Sequence, residues 1–377
     1  MKERSMYARA MQEVIRHKMG KGKAIILIGP RQVGKTTLFK TLLKGQDYLF
    51  LDADDPVVRR LLTEVNTEQL KRIIGNKKIV FLDEAQRIPG IGLTLKIITD
   101  QFKQVQLLVS GSSSFDLSNK LNEPLTGRKW EYELFPVSWE EYEQNHGYIV
   151  SEQQIENRLL HGFYPEVLTN PGEEKEILKQ LVDSYLYKDI LMFSDIRKPD
   201  VLEKLVQSLA YQVGSEVSYT ELAGSIGVDK NTVSKYIDIL CQGYIIFKLN
   251  SYSRNLRSEI KKNRKIYFYD NGVRNIIIGN FTGLNQRQDK GALWENFLIS
   301  ERKKQNFYKN TFSRMYFWRT KQQQEIDLVE ERDGNLTGFE FKWKAKKNTK
   351  VSKTFTNAYN AESKIIDRFN FRDFVEI

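Results

Sequence analysis

Residues 24–37 read AIILIGPRQVGKTT, and this stretch decides the fold. The apolar run at 24–28 predicts a buried strand, and the segment TLFKTLL at 37–43 has the periodicity of a helix. Between them lies a GxxxxGK[ST] loop, whose backbone amides can surround a phosphate when strand, loop and helix follow in this order. A chance match in a turn is the alternative, and the flanking strand and helix argue against it.

The loop residues have predicted tasks in holding the phosphates of ATP together with Mg²⁺. The two glycines allow amides to turn inward around the β-phosphate, Lys35 reaches the β- and γ-phosphate oxygens, and Thr36 ligates Mg²⁺. The predicted nucleotide-binding residues of the loop are Gly29, Pro30, Arg31, Gln32, Val33, Gly34, Lys35, Thr36 and Thr37.

Further short apolar runs follow at 48–51, 79–82 and 107–109, with amphipathic stretches between them. This alternation predicts an α/β domain whose parallel sheet is buried on both faces. Asp83 and Glu84 directly follow the run IVFL, at the carboxyl edge of the predicted sheet where ligands bind. We expect Asp83 to hold Mg²⁺ through water and Glu84 to orient the attacking water. The alternative is an ordinary acidic turn at the end of a strand.

Two later residues are candidates for the same site. Ser110 ends the strand QLLVS and could sense the γ-phosphate, or serve only the structure. Arg128, in PLTGRKW, follows a glycine in a turn and could reach the γ-phosphate of a neighbouring subunit as an arginine finger. An ordinary surface arginine is the alternative.

Composition bounds the remaining possibilities. The chain has 377 residues, which suggests two or three domains, and a net charge of +11 that would suit a polyanionic partner. The basic charge is concentrated at 248–265 and 342–353, segments that would otherwise be solvated faces. No apolar run is long enough for a membrane helix and the first residues do not resemble a signal peptide, so a cytoplasmic location is expected. The single cysteine, Cys241, excludes a disulfide within the chain.

From about Trp139 to Gln212 the periodicity is helical, and a helix–turn–helix pattern follows in SYTELAGSIGVDKNTVSKYIDIL. We expect Thr220 to cap its first helix, Gly227 to end it and Asp229 to cap the second. The exposed start of the second helix is where such motifs contact DNA, and packing against a protein is the alternative. The predicted DNA-binding residues are Lys230, Asn231, Thr232, Ser234 and Lys235.

The segment EIDLVEERDGNLTGFEFKWK predicts two alternating strands joined by the two-residue loop Asp333-Gly334. Residues equidistant from this loop face each other, which places Asp327 opposite Glu340 and Glu325 opposite Lys342. Facing carboxylates repel unless a cation lies between them, and Mg²⁺ would supply one, with Asp327 and Glu340 as ligands. Glu295, on the apolar face of an earlier predicted helix, is a third candidate acid.

Together, GPRQVGKTTL, IVFLDEAQ, VSGSSS, LTGR, ELFPVSWEEY and HGFYPEVL resemble the prokaryotic AAA-type ATPases that carry a C-terminal DUF4143 domain. The resemblance implies an N-terminal domain of the AAA+ type and a C-terminal DUF4143 domain. Together with the changes of pattern along the chain, it predicts an AAA+-type core at 1–138, a helical lid at 139–212, a winged helix–turn–helix at 213–270 and a nuclease-like DUF4143 domain at 271–377. It also implies a homo-oligomer, expected to be a hexamer. The lid departs from the pattern because it has no clear second-sensor arginine; Lys188 stands where a basic residue would serve.

The set Glu295, Asp327, Glu340 and Lys342 resembles the active site of PD-(D/E)xK nucleases. There the acids bind Mg²⁺ and the lysine positions water for phosphodiester hydrolysis. The alternative is a nuclease-like fold without activity. The sequence thus predicts a Mg²⁺-dependent ATPase coupled to DNA binding or processing. A switch that uses ATP to act on protein partners is the rival hypothesis.

Overall fold

The computed structural model describes residues 7–111, 124–184, 196, 198–253, 264–344 and 353–376. Their contacts divide the described chain into two compact units, one of residues 7–136 with 242–244 and the other of residues 137–241 with 245–376. A search of the described helices finds none that is both long and apolar enough to cross a membrane.

The described part of the first unit contains a parallel sheet of five strands in the order β2-β3-β4-β1-β5. Every residue of β1 is almost completely buried, because helices cover both faces of the sheet. The predicted α/β fold with a parallel sheet is confirmed. The strands are β1 (Ala24–Ile28), β2 (Leu49–Asp52), β3 (Ile79–Asp83), β4 (Gln106–Gly111) and β5 (Lys129–Glu133).

The helices of the first unit pack their apolar stripes on this sheet. Residues of β1 and β3, among them Ile26 and Leu82, share one core with Leu70 and Ile98 of the covering helices. The described helices of this unit are α1 (Met11–Lys18), α2 (Lys35–Leu42), α3 (Pro56–Leu62), α4 (Thr67–Ile74) and α5 (Ile91–Gln101).

The second unit starts with helices, as the periodicity after Trp139 predicts. The first begins with a reciprocal capping box between Ser138 and Glu141, in which each side chain accepts from the backbone amide of the other residue. The described helices up to residue 211 are α6 (Trp139–His146), α7 (Tyr148–His161), α8 (Pro165–Thr169), α9 (Glu174–Val182) and α10 (Pro199–Tyr211). Lys188 lies outside the described residues.

The helix–turn–helix pattern forms α11 (Tyr219–Ile226) and α12 (Lys230–Gln242). The predicted cap at Thr220 is wrong: Ser218 caps α11 by accepting from the Glu221 amide, so Thr220 lies inside the first turn. Gly227 ends the helix with a φ of 73°, and Asp229 accepts from the amides at the start of α12, both as predicted.

A second sheet runs through the rest of this unit, with seven strands among the described residues in the order β12-β11-β10-β9-β7-β8-β6. Strands from the predicted winged-helix segment and from the C-terminal segment meet where β7 runs parallel to β9. The four-part division of the chain stays a prediction. The strands are β6 (Glu216–Val217), β7 (Ile246–Ser251), β8 (Arg264–Phe268), β9 (Arg314–Arg319), β10 (Glu325–Arg332), β11 (Asn335–Phe341) and β12 (Glu362–Ile366).

The hairpin of β10 and β11 has the predicted register. Its pairs run from Arg332 with Asn335 to Leu328 with Phe339, and the loop is Asp333-Gly334 with φ values of 51° and 80°. Two consecutive positive φ angles match the twist of a tight hairpin. The remaining described helices of the unit are α13 (Asn271–Ile277), α14 (Lys290–Tyr308), α15 (Lys353–Tyr359) and α16 (Phe371–Val375).

Candidate functional site

The phosphate-binding loop lies between β1 and α2 at the carboxyl edge of the first sheet. Gly29 has a φ of 148°, and a Cβ at this position would stand 2.1 Å from the carbonyl oxygen of Leu134. Gly34, with a φ of 94°, is the residue before α2. Both positions therefore need glycine, one for space and one for its backbone angle. The first amides of α2 point toward the loop without partners inside the helix, which suits an anion.

Lys35 is the buried cation of this loop. Its ammonium donates hydrogen bonds to the carbonyl oxygens of Gly29 at 2.9 Å and Pro30 at 2.7 Å, and the residue is 5% exposed. Burial lowers the pKa of Lys35 to about 8, although the charges of Glu84 and Asp83 oppose this shift.

Asp83 lies at the centre of three predicted residues. The hydroxyl of Thr36 donates to its Oδ2 at 2.8 Å, and the hydroxyl of Ser110 donates to its Oδ1. These residues come from the start of α2 and the ends of β3 and β4, and β4 lies between β3 and β1 in the sheet. The structure thus brings together the residues predicted to hold Mg²⁺. The hydroxyl of Ser110 is buried against Asp83, so a contact with the γ-phosphate stays a prediction.

Glu84 has a left-handed backbone, with a φ of 50° and a ψ of 39°. Its carboxylate accepts a hydrogen bond from Nε2 of Gln86, a residue that is 3% exposed. Sequence analysis did not identify Gln86 as part of the site, although it lies two residues after Glu84 in the quoted motif IVFLDEAQ.

Arg9 is a second residue that sequence analysis missed. Its Nη1 donates to the carbonyl oxygen of Val33 at 2.7 Å, and its Nη2 donates to that of Phe135, also at 2.7 Å. The side chain is 7% exposed. Arg9 precedes the first strand by 15 positions, so no spacing pattern of the motif could have included it.

Arg128 lies at the amino end of β5. Its Nε donates to Asp100 at 2.7 Å and its Nη1 to the carbonyl oxygen of Thr126 at 3.2 Å. Because β5 is parallel to β1, Arg128 lies at the edge of the sheet opposite the phosphate-binding loop. It does not reach the chain's own phosphate site, and a role in a neighbouring subunit stays a prediction.

The start of α12 is exposed, as predicted. Lys230, Asn231 and Lys235 are exposed, whereas Thr232 and Ser234 are half-buried. The hydroxyl of Thr232 donates to the capping carboxylate at 2.6 Å. Most of the first basic segment, residues 254–263, lies outside the described residues, as do residues 345–352 of the second basic segment.

The C-terminal acids surround a buried lysine. Lys265 of β8 is 2% exposed, and its Nζ lies 3.1 Å from Glu295 and in contact with Glu325. Tyr267, two residues along the same strand, donates its hydroxyl to Glu295 at 2.6 Å. We call Lys265, Tyr267, Glu295, Glu325 and Asp327 the C-terminal ion cluster.

The charges of this cluster shift one another's pKa. Burial would lower the pKa of Lys265, but Glu295, Glu325 and Asp327 outweigh that effect and raise it. Burial raises the pKa of Glu295 to about 7 even though Lys265 opposes the shift. Burial and the nearby charge of Asp327 also raise the pKa of Glu340 to about 7. Glu295 and Glu340 are therefore partly protonated near neutral pH.

The predicted ligand set differs from this arrangement. Among the described residues, no group of three or more His, Cys, Asp or Glu side chains is arranged to hold a metal ion. Asp327 accepts from the Phe341 amide at 2.7 Å, and Lys342 donates to Glu340 at 3.3 Å. Glu325, expected opposite Lys342, is paired instead with Lys265 and Arg319. The ammonium of Lys265 lies beside Glu295 and interacts with Asp327, two of the three predicted acids, and the metal assignment stays a prediction.

Comparisons with known families match three successive parts of the chain. Residues 21–143 match a family described as "AAA domain", residues 152–284 a "Domain of unknown function (DUF8612)" and residues 290–373 a "Domain of unknown function (DUF4143)". The first match contains the phosphate-binding loop, Asp83 and Arg128, and the last contains the hairpin of β10 and β11.

Similar whole proteins extend these matches. An uncharacterized protein of Mycobacterium tuberculosis is 27% identical over 87% of this chain and 72% of its own length. One from Methanocaldococcus jannaschii is 23% identical over 85% and 75%. A solved Walker-type ATPase of Pyrococcus abyssi has 15% identity and a TM-score of 0.50, covering 72% of this chain and 96% of that one. With its phosphate-binding loop and Asp83 in one parallel sheet, the chain contains a P-loop domain of the AAA type, and it carries a C-terminal DUF4143 domain.

Proposed function

We propose that the first unit binds ATP with Mg²⁺ and hydrolyses it, with Glu84 as the residue that polarises the attacking water. The observation that carries this proposal is the pair of hydroxyls on Asp83, one from Thr36 at 2.8 Å and one from Ser110. The three side chains come from three elements at the edge of the sheet where open α/β sheets bind their ligands.

The residues fit the proposed metal. A hydroxyl and a carboxylate are hard oxygen ligands of the kind that Mg²⁺ prefers, and Mg²⁺ usually keeps several waters beside them. Thr36 would ligate the ion directly, and Asp83 would hold it through water. When bound, Mg²⁺ neutralises charge on the transferred phosphoryl group.

The remaining residues divide the work of binding and turnover. Lys35 would exchange its bonds to the Gly29 and Pro30 carbonyls for bonds to phosphate oxygens. Glu84 lies directly after Asp83 and would act on water beside the γ-phosphate, with its carboxylate held by Gln86. Binding and water activation are therefore separate tasks on separate residues.

Two variants test this assignment. Lys35→Ala should abolish tight ATP binding, whereas Glu84→Gln should bind ATP like the wild type and lose turnover by a factor of about 100 or more. Binding is measured by calorimetry and turnover by phosphate release, each with and without Mg²⁺. Equal turnover in Glu84→Gln and wild type would refute the role of Glu84, and turnover unaffected by chelation would refute that of Mg²⁺.

We further propose that ATP turnover is coupled to DNA binding through the exposed start of α12. The proposal is supported by the exposed side chains of Lys230, Asn231 and Lys235 at the amino end of the second helix of a helix–turn–helix pair. The net charge of +11 favours a polyanion over a neutral partner.

Turnover in the presence of duplex, branched and single-stranded DNA tests the coupling. Stimulation by DNA that weakens as salt increases would support it, because each phosphate contact releases counterions. A rate of ATP turnover that DNA does not change at any salt concentration would favour the alternative function, a switch that uses ATP to act on a protein partner.

One observation favours that alternative for the DUF4143 domain. Two of the acids expected around Mg²⁺ for DNA cleavage, Glu295 and Asp327, are already neutralised in part by Lys265. In a Lys35→Ala background, which silences the nucleotide site, a nuclease-type metal site would make the unfolding temperature depend on Mg²⁺, and Asp327→Asn would remove that dependence. If wild-type Asp327 and the variant respond identically to Mg²⁺, the acids form no metal site.

A further inference from the structure

Arg9 links the phosphate-binding loop to the chain that follows β5. One of its terminal nitrogens holds the Val33 carbonyl within the loop, and the other holds the Phe135 carbonyl, each at 2.7 Å. Arg9 is itself fixed at the start of α1, where its carbonyl accepts from the Gln12 amide at 3.0 Å. The guanidinium of Arg9, which is planar and permanently charged, is therefore held against two backbone carbonyl oxygens.

The bond to Val33 has a geometric consequence for the next amide. In a planar trans peptide, the carbonyl oxygen and the following N–H point in opposite directions. A group that holds the Val33 oxygen on one side of the loop therefore turns the Gly34 N–H to the other side. Gly34, with a φ of 94°, has no side chain to restrict this peptide, and the hydrogen bond from Arg9 restrains it from outside the loop.

The second bond ties the loop to a neighbouring strand end. Leu134, next to Phe135, donates to the Ile28 carbonyl at 2.8 Å, and its own carbonyl oxygen lies where a side chain on Gly29 would be. The segment after β5 thus runs along the loop from Gly29 onward. Arg9 contacts both the loop and this segment, and its Nη1 lies 4.0 Å from the position that a Cβ on Gly34 would occupy.

From this geometry we infer that Arg9 is a positioning residue of the nucleotide site, which aims the Gly34 amide at the β-phosphate. The inference rests on the proposed function, because it assumes that this loop binds the phosphates of ATP. Arg9 does not need to touch the nucleotide. Its effect is to hold the loop ready before the ligand arrives, so that binding does not have to order the peptide.

The test compares Arg9→Gln and Arg9→Lys with the wild type and with Arg16→Gln. Arg16 is a matched control because it lies on α1, is exposed and pairs locally with Glu13. Calorimetry with ADP and with inorganic pyrophosphate should show affinities at least tenfold lower in both Arg9 variants and unchanged in Arg16→Gln. Pyrophosphate is informative because it reports the phosphate contacts without those of the base and the ribose.

A structural role alone would give different results. At saturating ATP, Arg9→Lys should keep kcat within about threefold of the wild type while KM rises at least tenfold, since Asp83 and Glu84 are intact. Wild-type affinity for ADP in Arg9→Gln overturns the inference. A loss of affinity for ADP alone, with pyrophosphate binding unchanged, also overturns it. Failure of both variants to fold would do the same, because Arg9 would then be purely structural. If the wild type binds neither ligand, it is the proposed function that fails.

Discussion

A buried lysine in a phosphate-binding loop makes stability depend on pH. Burial lowers the pKa of Lys35 from 10.5 to about 8, so the folded protein releases this proton at lower pH than the unfolded chain does. Between pH 8 and 10.5 the unfolded state therefore binds more protons, and the free energy of unfolding rises with pH. At neutral pH the buried charge of Lys35 lowers stability, and deprotonation of Lys35 in this range removes that cost.

Replacing Lys35 with Met removes the titrating group and keeps the length of the side chain. The free energy of unfolding of the wild type, minus that of Lys35→Met, should increase from pH 8 to 10.5, by about 3 kcal/mol at most. Urea denaturation at several pH values measures this difference, and taking it between two proteins cancels the other groups that titrate in the range. A difference that is constant or falls with pH would contradict the buried, depressed state of Lys35.

Residues within a local motif could be predicted, and residues that act on it from elsewhere in the chain could not. Gly29, Lys35 and Thr36 can be identified because strand, loop and helix must follow in a fixed order for the chemistry to work. Asp83 can be identified because it follows an apolar run at the carboxyl edge of the predicted sheet. Arg9 and Gln86 form side-chain bonds that depend on packing. Nothing in their spacing distinguishes them from other arginines and glutamines of the chain.

At the scale of elements, the hairpin of β10 and β11 was predictable because its loop has only two residues. Gly334 has a φ of 80° and open space around it, so a Cβ there is strained by the backbone alone. Gly224 lies inside α11, also in open space but without a positive φ, where a Cβ favours the helix. The two glycines should respond to alanine in opposite directions.

Gly334→Ala should lower the free energy of unfolding by about 1 kcal/mol, and Gly224→Ala should raise it by about 0.5–1 kcal/mol. Chemical denaturation of the two variants beside the wild type measures both changes. Equal effects of the same sign would mean that backbone conformation does not control these sites.

Lys265 shows why an element can be predicted while its chemistry is not. In the sequence it ends a run of basic residues that has the composition of a solvated surface. In the structure, the two-residue period of β8 turns Lys265 and Tyr267 toward Glu295. Glu325 and Asp327 reach the same place from β10, which β9 and β7 separate from β8 in the sheet. The position of Lys265 among these acids depends on the pairing of strands that are distant in the sequence, so no local sequence pattern predicts it.

Removing the charge of Lys265 should be costly. Lys265→Met leaves Glu295, Glu325 and Asp327 without their shared cation, and we expect a loss of about 3–5 kcal/mol in the free energy of unfolding at pH 7. Because protonated acids no longer need a counter-charge, the loss should shrink as the pH falls toward 5. The same substitution at Lys204, an exposed residue of α10, is the control and should change stability by less than about 0.5 kcal/mol. A small loss at Lys265, independent of pH, would contradict the ion cluster.

At the scale of the whole molecule, Arg128 tests whether the ATPase works as an assembly. Arg128→Ala should bind ATP normally but lose turnover by a factor of about 1000 if it serves as a finger in a neighbouring subunit. Asp100→Asn is the matched control, since it breaks the same ion pair from the other side. If both variants have the same small effect, Arg128 is only a surface partner of Asp100.

The same hypothesis predicts how turnover depends on protein concentration. If neighbouring subunits complete each other's sites, as in the expected homo-oligomer or hexamer, specific activity should rise with concentration until assembly is complete. Sedimentation measured over the same range relates activity to particle size. Specific activity that is constant while the particle is a monomer would remove the role in a neighbouring subunit.

The parallel contact between β7 and β9 limits how this protein can be cut or recombined. The boundary between the second and third family matches falls between residues 284 and 290, yet strands from both sides of it share one sheet. A truncation there would expose the edges of β7 and β9, both with unpaired amides and carbonyls that invite aggregation. Chimaeras between relatives should therefore exchange residues 137–376 as one piece and residues 7–136 as the other.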